Sequence, residues 1–390
     1  MNKVFSILLS LIIIFSFVGC GSNNGGVNIP SDSEHQTQSI EDNSVSNDDD
    51  NNIDPEAVYK KSLEVLGNPM VTLVSGNTKT PNKCIYKIDE SGVFVRFISI
   101  QALKEGDPVN ILHTTDFHFN KVNDKDIAEN NPCVESTRKV RKAYADEITL
   151  PNTKKVLSYS DKFDAVAITG DNIDYLTWGS LEMMKEYVFG PLRNKVIASI
   201  GGHDTTRLME TGTPVDPTTL QSRYDVIQSY YPHNIVYSNM LVKNRVMLIQ
   251  MDNGSGPYIE EQLNKLQKDI EKARKENLII LIFQHEPFAT GKTEDSRVMS
   301  ITGSSKENFY RSMKGGSKAD NGGATKEVYN LITSSADVVK GVFCGHMHDD
   351  FYTEINASYI KNGDKVETTI PQIVLMNTAS KPTINVIMVE

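Results

Sequence analysis

The chain has 390 residues, enough for one catalytic domain of about 250 to 300 residues with accessory segments. Its formal net charge is -10 at pH 7, and Lys and Arg form no sustained run. Nucleic-acid binding generally needs a basic face, so the charge argues against it as the main role, and no nucleic-acid-binding surface is evident in the sequence. The sequence does not define an oligomeric state.

The first residues have the pattern of an export signal. Lys3 precedes an apolar run at residues 4–18, too short for a membrane span, and Gly19-Cys20 follows. This pattern resembles a bacterial lipoprotein signal, in which the cysteine is acylated and becomes the mature N-terminus. We therefore predict a signal peptide at residues 1–19, lipidation at Cys20, and an extracytoplasmic protein anchored to the cell membrane. An ordinary secretory signal with an incidental Cys20 is the alternative.

The next segment, residues 20–53, is predicted to be a disordered polar tether. It is mostly Ser, Asn, Asp, Gly, Gln and Glu, so it cannot bury enough apolar surface to fold. A flexible coil of about 30 residues would hold the following domain on the order of 30 Å from the bilayer.

Residues 54–108 are predicted to form a small β-rich extension. Asp54 followed by Pro55 indicates the start of a short helix, and residues 71–74, 84–88 and 93–100 alternate as strands do. An extracytoplasmic compartment would permit a disulfide between Cys84 and Cys133, although spacing alone does not establish it.

From residue 109 onward, five apolar runs each stop at a cluster of Asp and His. Runs of this kind are typical of strands buried on both faces, and ligands in α/β sheets bind beyond the carboxyl ends of such strands. The clusters are Asp116 with His118, Asp171 with Asp174, His203 with Asp204, His285, and His346 with His348.

The last cluster, Gly345-His346-Met347-His348, is the most suggestive of metal binding. In an extended backbone side chains alternate faces, so His346 and His348 would point the same way, and Gly345 would let the chain approach what they hold. A pair of surface histidines on a hairpin is the simpler interpretation of the motif in isolation. The four other clusters favour a metal site.

Helical segments alternate with these strands. Residues 121–158, 181–188 and 220–231 are candidates, and residues 258–273 show a clear 3.6-residue apolar period. Before the last of these, two strands form a predicted hairpin across Lys243-Asn244. The combination implies a layered α/β sandwich.

The order of the motifs resembles the calcineurin-like metallophosphoesterase family from about residue 110 to the C-terminus. The matching pattern is Asp-x-His, Gly-Asp-x-x-Asp, Gly-x-His-Asp, His and Gly-His-x-His. The resemblance implies a four-layer αββα sandwich at residues 109–390. It also implies a phosphoesterase that hydrolyses phosphomonoesters or phosphodiesters through attack of a metal-bound hydroxide.

The resemblance also implies roles for individual residues. Two divalent metal ions are expected, and Mn, Fe, Zn and Co all suit the mixed ligands. His203 would protonate the leaving oxygen, with Asp174 orienting its ring. The implied ligands are Asp116, His118, Asp171 and His348 for the first metal, and Asp171, His285 and His346 for the second.

One position departs from the family pattern. The family has Gly-Asn-His-Asp where this chain has Gly201-Gly202-His203-Asp204, so the Asn that normally ligates the second metal is absent. Water or Asn253 would replace it, or the second site would be weak. The alternative function is therefore a metal-binding lipoprotein with the phosphoesterase fold and little or no turnover.

Two other features have open interpretations. His113, one position off the Asp116 face of its strand, is predicted to be a satisfied core histidine. The polar insertion at residues 289–323 is either a solvated loop or a substrate-facing lid, in which Lys292, Arg297 or Arg311 would contact phosphate. The sequence carries no signature of the substrate.

Overall fold

The structure is a computed structural model that describes residues 54–78, 80–140, 144–205, 217–254, 257–288 and 324–390. The predicted signal peptide and tether at residues 1–53 and the insertion at residues 289–323 lie outside the described residues. Across the ranges given above, no helix combines the length and apolarity that crossing a bilayer requires.

Nine α-helices and thirteen strands are described. The helices are α1 (Pro55–Leu66), α2 (Asp124–Ala128), α3 (Cys133–Val140), α4 (Leu150–Leu157), α5 (Trp178–Met183), α6 (Gly190–Leu192), α7 (Pro217–Gln228), α8 (Glu260–Glu276) and α9 (Thr325–Thr333). The strands are β1 (Val71–Ser75), β2 (Ile85–Ile88), β3 (Phe94–Ile100), β4 (Val109–Thr114), β5 (Ala165–Thr169), β6 (Val196–Ser199), β7 (Tyr237–Val242), β8 (Val246–Met251), β9 (Ile279–Phe283), β10 (Val339–Cys344), β11 (Phe351–Lys361), β12 (Asp364–Val374) and β13 (Thr383–Val389). Two π-helical turns, Tyr144–Thr149 and Met184–Phe189, adjoin α4 and α5.

The strands form two mixed sheets. The first has seven strands in the order β1-β2-β3-β13-β4-β5-β6, and the second has six in the order β11-β12-β10-β9-β8-β7. Strands β4, β5 and β6 are parallel neighbours in the first sheet, as β8, β9 and β10 are in the second. The carboxyl ends of each parallel group therefore meet at one edge of its sheet.

The two sheets pack face to face, and helices cover their outer faces. Ile111 and Ala167 of the first sheet share a buried cluster with Leu248 and Leu281 of the second. Residues of α4, α5 and α7 pack on the other face of the first sheet, and residues of α8 and α9 on the other face of the second. This confirms the predicted four-layer αββα sandwich.

The N-terminal strands belong to the first sheet. β1, β2 and β3 extend it from β13, which runs parallel to β3 and antiparallel to β4. The predicted extension at residues 54–108 therefore continues the sheet that carries part of the candidate site.

Local sequence signals explain the element ends. Asp54 caps α1 by accepting a hydrogen bond from the backbone N–H of Glu56 at 2.9 Å. In the predicted hairpin of β7 and β8, the backbone N–H of Arg245 donates to the carbonyl of Val242. Lys243 and Asn244, at the centre of this turn, have φ values of 48° and 54°, as a type I′ turn requires. The predicted helices at residues 121–158 are a series of short segments, α2 to α4.

Two side-chain expectations have clear outcomes. Cys84 and Cys133 are both buried and are not joined by a disulfide; the Cys84 thiol donates to the carbonyl of Asn77 at 2.9 Å. His113 is a satisfied core histidine, as predicted, with Nε2 2.9 Å from Thr169 Oγ1 and Nδ1 accepting from Asn385 at 2.9 Å. Burial lowers the pKa of His113 to about 3, so it is neutral.

Candidate metal centre

The predicted site residues come together at one edge of the two sheets. Each lies in the loop that directly follows a strand, where polar side chains from neighbouring strands converge. Asp116 and His118 follow β4, Asp171 and Asp174 follow β5, His203 follows β6, His285 follows β9, and His346 and His348 follow β10. Three groups of metal-ligating type form there: Asp116, His118, Asp171 and His348; Asp171, His285 and His346; and His118, Asp174 and His203.

The first cluster is built mainly on the first sheet. His348 Nε2 lies 3.3 Å from Asp116 Oδ1 and 3.0 Å from His118 Nε2. His118 Nε2 is 3.7 Å from Asp116 Oδ1 and 3.9 Å from Asp171 Oδ2. These donors surround a small volume, and three of the four side chains are almost completely buried.

The second cluster shares Asp171 with the first. Its Oδ2 atom is 3.2 Å from His285 Nε2, and His346 Nδ1 is 3.2 Å from the same His285 nitrogen. His285 Nδ1 donates to the carbonyl of Thr169 at 2.8 Å, so Nε2 carries no proton when the ring is neutral. Asp171 therefore lies where a carboxylate can contact two cations at once.

The backbone that presents these residues is largely left-handed. Five of the six side chains in the two clusters belong to residues with positive φ: Asp116 (52°), His118 (47°), Asp171 (48°), His346 (70°) and His348 (51°). Such conformations are unfavourable for residues other than glycine and concentrate at functional sites.

The expectation that His346 and His348 lie on one face of an extended strand is therefore wrong. The two residues follow β10 in a loop with positive φ values. His346 belongs to the second cluster and His348 to the first. Gly345 does permit the predicted close approach, since a Cβ atom there would collide with the side chains of Thr115 and Asp116.

The chemistry of the donors fits divalent cations. Asp116 Oδ1 is buried and has no hydrogen-bond partner among the described residues, and the Nε2 atoms of His118 and His348 face each other at 3.0 Å. Burial opposes ionisation of His285, yet the charge of Asp171 raises its pKa to about 10. The cluster thus attracts positive charge strongly, and the imidazole and carboxylate donors suit transition metals.

His203 lies beside the first cluster, with its ring centroid 4.9 Å from that of His118. Its Nδ1 atom is 3.2 Å from Asp174 Oδ1 and 3.2 Å from the Asp174 carbonyl oxygen. The same Asp174 Oδ1 lies 3.2 Å from His118 Nδ1, a contact that the sequence did not reveal. Asp174 therefore orients both a candidate ligand and the candidate acid. Burial of His203 lowers the pKa of its imidazole, but the nearby charge of Asp171 raises it, and the pKa lies above its ordinary value.

Asn253 does not replace the missing Asn at position 202. Its Oδ1 atom accepts hydrogen bonds from the backbone N–H groups of His285 and Glu286, each at 3.0 Å, and its Nδ2 donates to the carbonyl of Glu286. The side chain thus supports the loop of His285. Among the His, Cys, Asp and Glu residues that the structure describes, the second cluster contains three candidate ligands.

Asp204 has a structural role that the sequence analysis did not assign. Its buried carboxylate accepts hydrogen bonds from the backbone N–H groups of Gly201, Asn172 and Ile173, which joins the loop after β6 to the loop after β5. Burial, followed by the nearby charge of Asp171, raises the pKa of Asp204 to about 7. Its place directly after His203 in the motif was the available signal.

The fold and this cluster define an α/β sandwich with a candidate dinuclear metal site. A family model described as calcineurin-like phosphoesterase matches residues 109–350. The chain therefore belongs to the calcineurin-like phosphoesterase family, whose members typically bind divalent metals. Among curated proteins, none matches this chain closely enough to count as a relative.

Several solved structures are similar to parts of the chain. A 5'-nucleotidase from Staphylococcus aureus in complex with alpha-ketoglutarate is 11% identical, with a TM-score of 0.34 over 70% of this chain and 49% of its own. A dimetal phosphatase from Danio rerio is 10% identical, with a TM-score of 0.37 and coverage of 71% and 90%. The calcineurin-like phosphoesterase YfkN from Bacillus subtilis is 13% identical, with a TM-score of 0.32 and coverage of 70% and 82%. The chain thus spans about half the length of the nucleotidase.

Proposed function

We propose that this protein is a metal-dependent phosphoesterase that hydrolyses small phosphomonoesters or phosphodiesters. The observation that supports the proposal most strongly is the pair of imidazole and carboxylate clusters that share Asp171. In this proposal Asp116, His118, Asp171 and His348 hold one divalent ion. Asp171, His285 and His346 hold the other. Two such ions, when bound, supply an activated water and neutralise the charge that develops on the phosphoryl group.

The proposed acid is His203, which protonates the leaving oxygen. With Nδ1 directed at Asp174, the other ring nitrogen, Nε2, is free to carry the proton that the departing alkoxide needs. The imidazole side chain is 44% exposed, so a substrate can reach it. Asp174 fixes the direction and the tautomer of the ring, as general acid catalysis requires.

The test of this proposal is hydrolysis of chromogenic phosphomonoesters and phosphodiesters by metal-free and metal-loaded protein. We expect no turnover after chelation and recovery of turnover when Mn²⁺, Zn²⁺ or Co²⁺ is added. Asp171→Asn serves as the matched control, because it keeps the size of the side chain and removes the charge of the shared ligand. Equal turnover by chelated and loaded protein would refute metal dependence.

A second candidate function follows from Gly202. Because the second cluster has three protein ligands, the chain could bind one metal firmly and act as a binding lipoprotein with little or no turnover. Under that alternative, metal loading would produce uptake of one ion per chain and no hydrolysis of either class of ester. The arrangement of His203 against Asp174 favours the enzyme, since a site that only binds metal has no need of an oriented acid.

The proposed location is outside the cytoplasm, with a lipid at Cys20 anchoring the protein to the cell membrane. The Gly19-Cys20 junction and the polar composition of residues 20–53 support this proposal. Cys20→Ala is expected to release the protein from the membrane fraction or to block its processing. Membrane retention of that variant with cleavage at the same bond would contradict lipidation at Cys20.

A further inference from the structure

The loop that carries His346 and His348 is held at both ends. At its beginning, the backbone N–H of His346 donates to Asp116 Oδ2 at 3.1 Å. At its other end, where β11 begins, the carbonyl of Phe351 accepts a hydrogen bond from Arg96 Nη1 at 3.3 Å. His348 lies three residues before that contact, so the position of Arg96 bears directly on where this ligand is placed.

Arg96 closes the end of the ladder between β11 and β12. Its Nη1 atom also donates to the carbonyl of Val374 at 3.3 Å, and Val374 is the residue paired with Phe351. Its Nη2 atom lies 3.9 Å from Asp350 Oδ1. That carboxylate oxygen accepts from the backbone N–H of Met376 at 2.9 Å. The guanidinium therefore contacts Phe351, Val374 and Asp350 at the end of the loop that carries His346 and His348.

Arg96 reaches this loop from the opposite sheet. It lies on β3 of the first sheet, whereas β11 and β12 belong to the second. It is 2% exposed, and a buried guanidinium is tolerated when several acceptors satisfy it. Arg96, Phe351 and Val374 all lie outside residues 109–350, the range that the family model matches. Asp350, the third residue that Arg96 contacts, is the last residue of that range.

We propose that Arg96 is a positioning residue for His348, fixing the end of the ligand loop so that the imidazole faces Asp116 and His118. The inference rests on the proposed function, because it gives Arg96 a part in holding the first metal ion. His348 needs such support more than its neighbours do. Its side chain is 40% exposed, whereas those of Asp116 and His118 are 0% and 1% exposed.

The experiment measures Co²⁺ binding by calorimetry and visible absorption in Arg96→Met, His348→Ala and the double variant. We expect Arg96→Met to weaken the first site about 10- to 100-fold, as loss of a residue supporting a metal ligand typically does, and to change the second site less than about threefold. In the His348→Ala background the same substitution should have no further effect, because coupled residues are not additive.

The matched control is Arg223→Met, which removes another buried guanidinium. Arg223 donates to the carbonyl of Thr205 at 2.9 Å, at the end of the turn that carries His203. We expect this variant to keep the Co²⁺ affinity of the first site. Should Arg96→Met fail to fold, Arg96→Lys is measured instead, because it keeps the charge and loses the two-pronged donor geometry.

Two results would overturn this inference and leave the proposed function standing, provided that His348→Ala by itself weakens Co²⁺ binding. The first is unchanged first-site affinity in the Arg96 variant, and the second is additive losses of affinity in the double variant. Additive losses at both metal sites would also overturn it, because they would indicate general loosening of the fold. Absence of Co²⁺ uptake by the unmodified protein would overturn the proposed function and this inference together.

Discussion

The two halves of the candidate centre differ in how completely the chain provides ligands. On the side of the first cluster, Asp116, His118, Asp171 and His348 offer four donors, and Asp174 holds the outer nitrogen of His118. On the side of the second cluster, His285 and His346 join the shared Asp171, and position 202 offers no side chain. Under the proposed function, the protein itself would form one site, and water or a substrate oxygen would complete the coordination of the other.

The shared carboxylate gives the largest expected effect. Asp171→Asn is expected to abolish measurable turnover and the tight binding of both ions, because one charge serves both clusters. Metal content after dialysis, together with calorimetry, measures the loss. Retention of one ion at the affinity of the unmodified protein would show that the halves are independent.

The proposed general acid, His203, is not a candidate ligand of either half of the centre. His203→Ala is expected to keep both ions and to lose about 10²- to 10⁴-fold in turnover of esters with poor leaving groups, the usual contribution of a general acid. An activated aryl leaving group needs less protonation and should lose less. Equal losses on both kinds of ester, at unchanged metal content, would argue against this role.

A substitution of Asp174 should lower the metal affinity of the first half of the centre and leave that of the second half unchanged. Asp174→Asn keeps the shape of the side chain but removes the acceptor charge that His118 and His203 share. We expect first-site affinity to fall about 10- to 100-fold, with turnover of poor leaving groups lowered as well. Calorimetry showing equal weakening of both sites would contradict a contact specific to the first half.

Gly202→Asn is the smallest change and the one that would make the halves alike. A Cβ atom there would lie 3.3 Å from the carbonyl oxygen of Gly254, so that carbonyl must move by a few tenths of an ångström, and the backbone is outside the left-handed region. We expect second-site affinity to rise about tenfold, equivalent to about 1.4 kcal/mol. The measurement is half-maximal activity against added Mn²⁺. Two ions that survive extensive dialysis in the unmodified protein would contradict a weak second site.

Much of the fold was predictable because the chain is locally consistent. Continuous apolar runs such as Ile279–Phe283 indicate strands buried on both faces, and the polar residues that follow them meet at one edge. The candidate ligands could be placed there without coordinates. The helices on the outer faces also follow from apolar periodicity, as in α8.

The parts that failed depend on long-range geometry. His346 and His348 have positive φ values, and both contact Asp116, which a two-residue alternation does not encode. The Cys84 thiol points toward the carbonyl of Asn77, so the suggested disulfide with Cys133 is absent. Arg96 precedes Phe351, which it contacts, by 255 positions in the sequence, and no motif marks it.

The most direct test of the account is anomalous diffraction from crystals saturated with Co²⁺. The account predicts two peaks, one among Asp116, His118 and His348 and one between His285 and His346, with Asp171 contacting both. At limiting Co²⁺ the first peak should be the stronger. A single peak at saturation, or two peaks away from Asp171, would contradict a dinuclear centre built on this shared carboxylate.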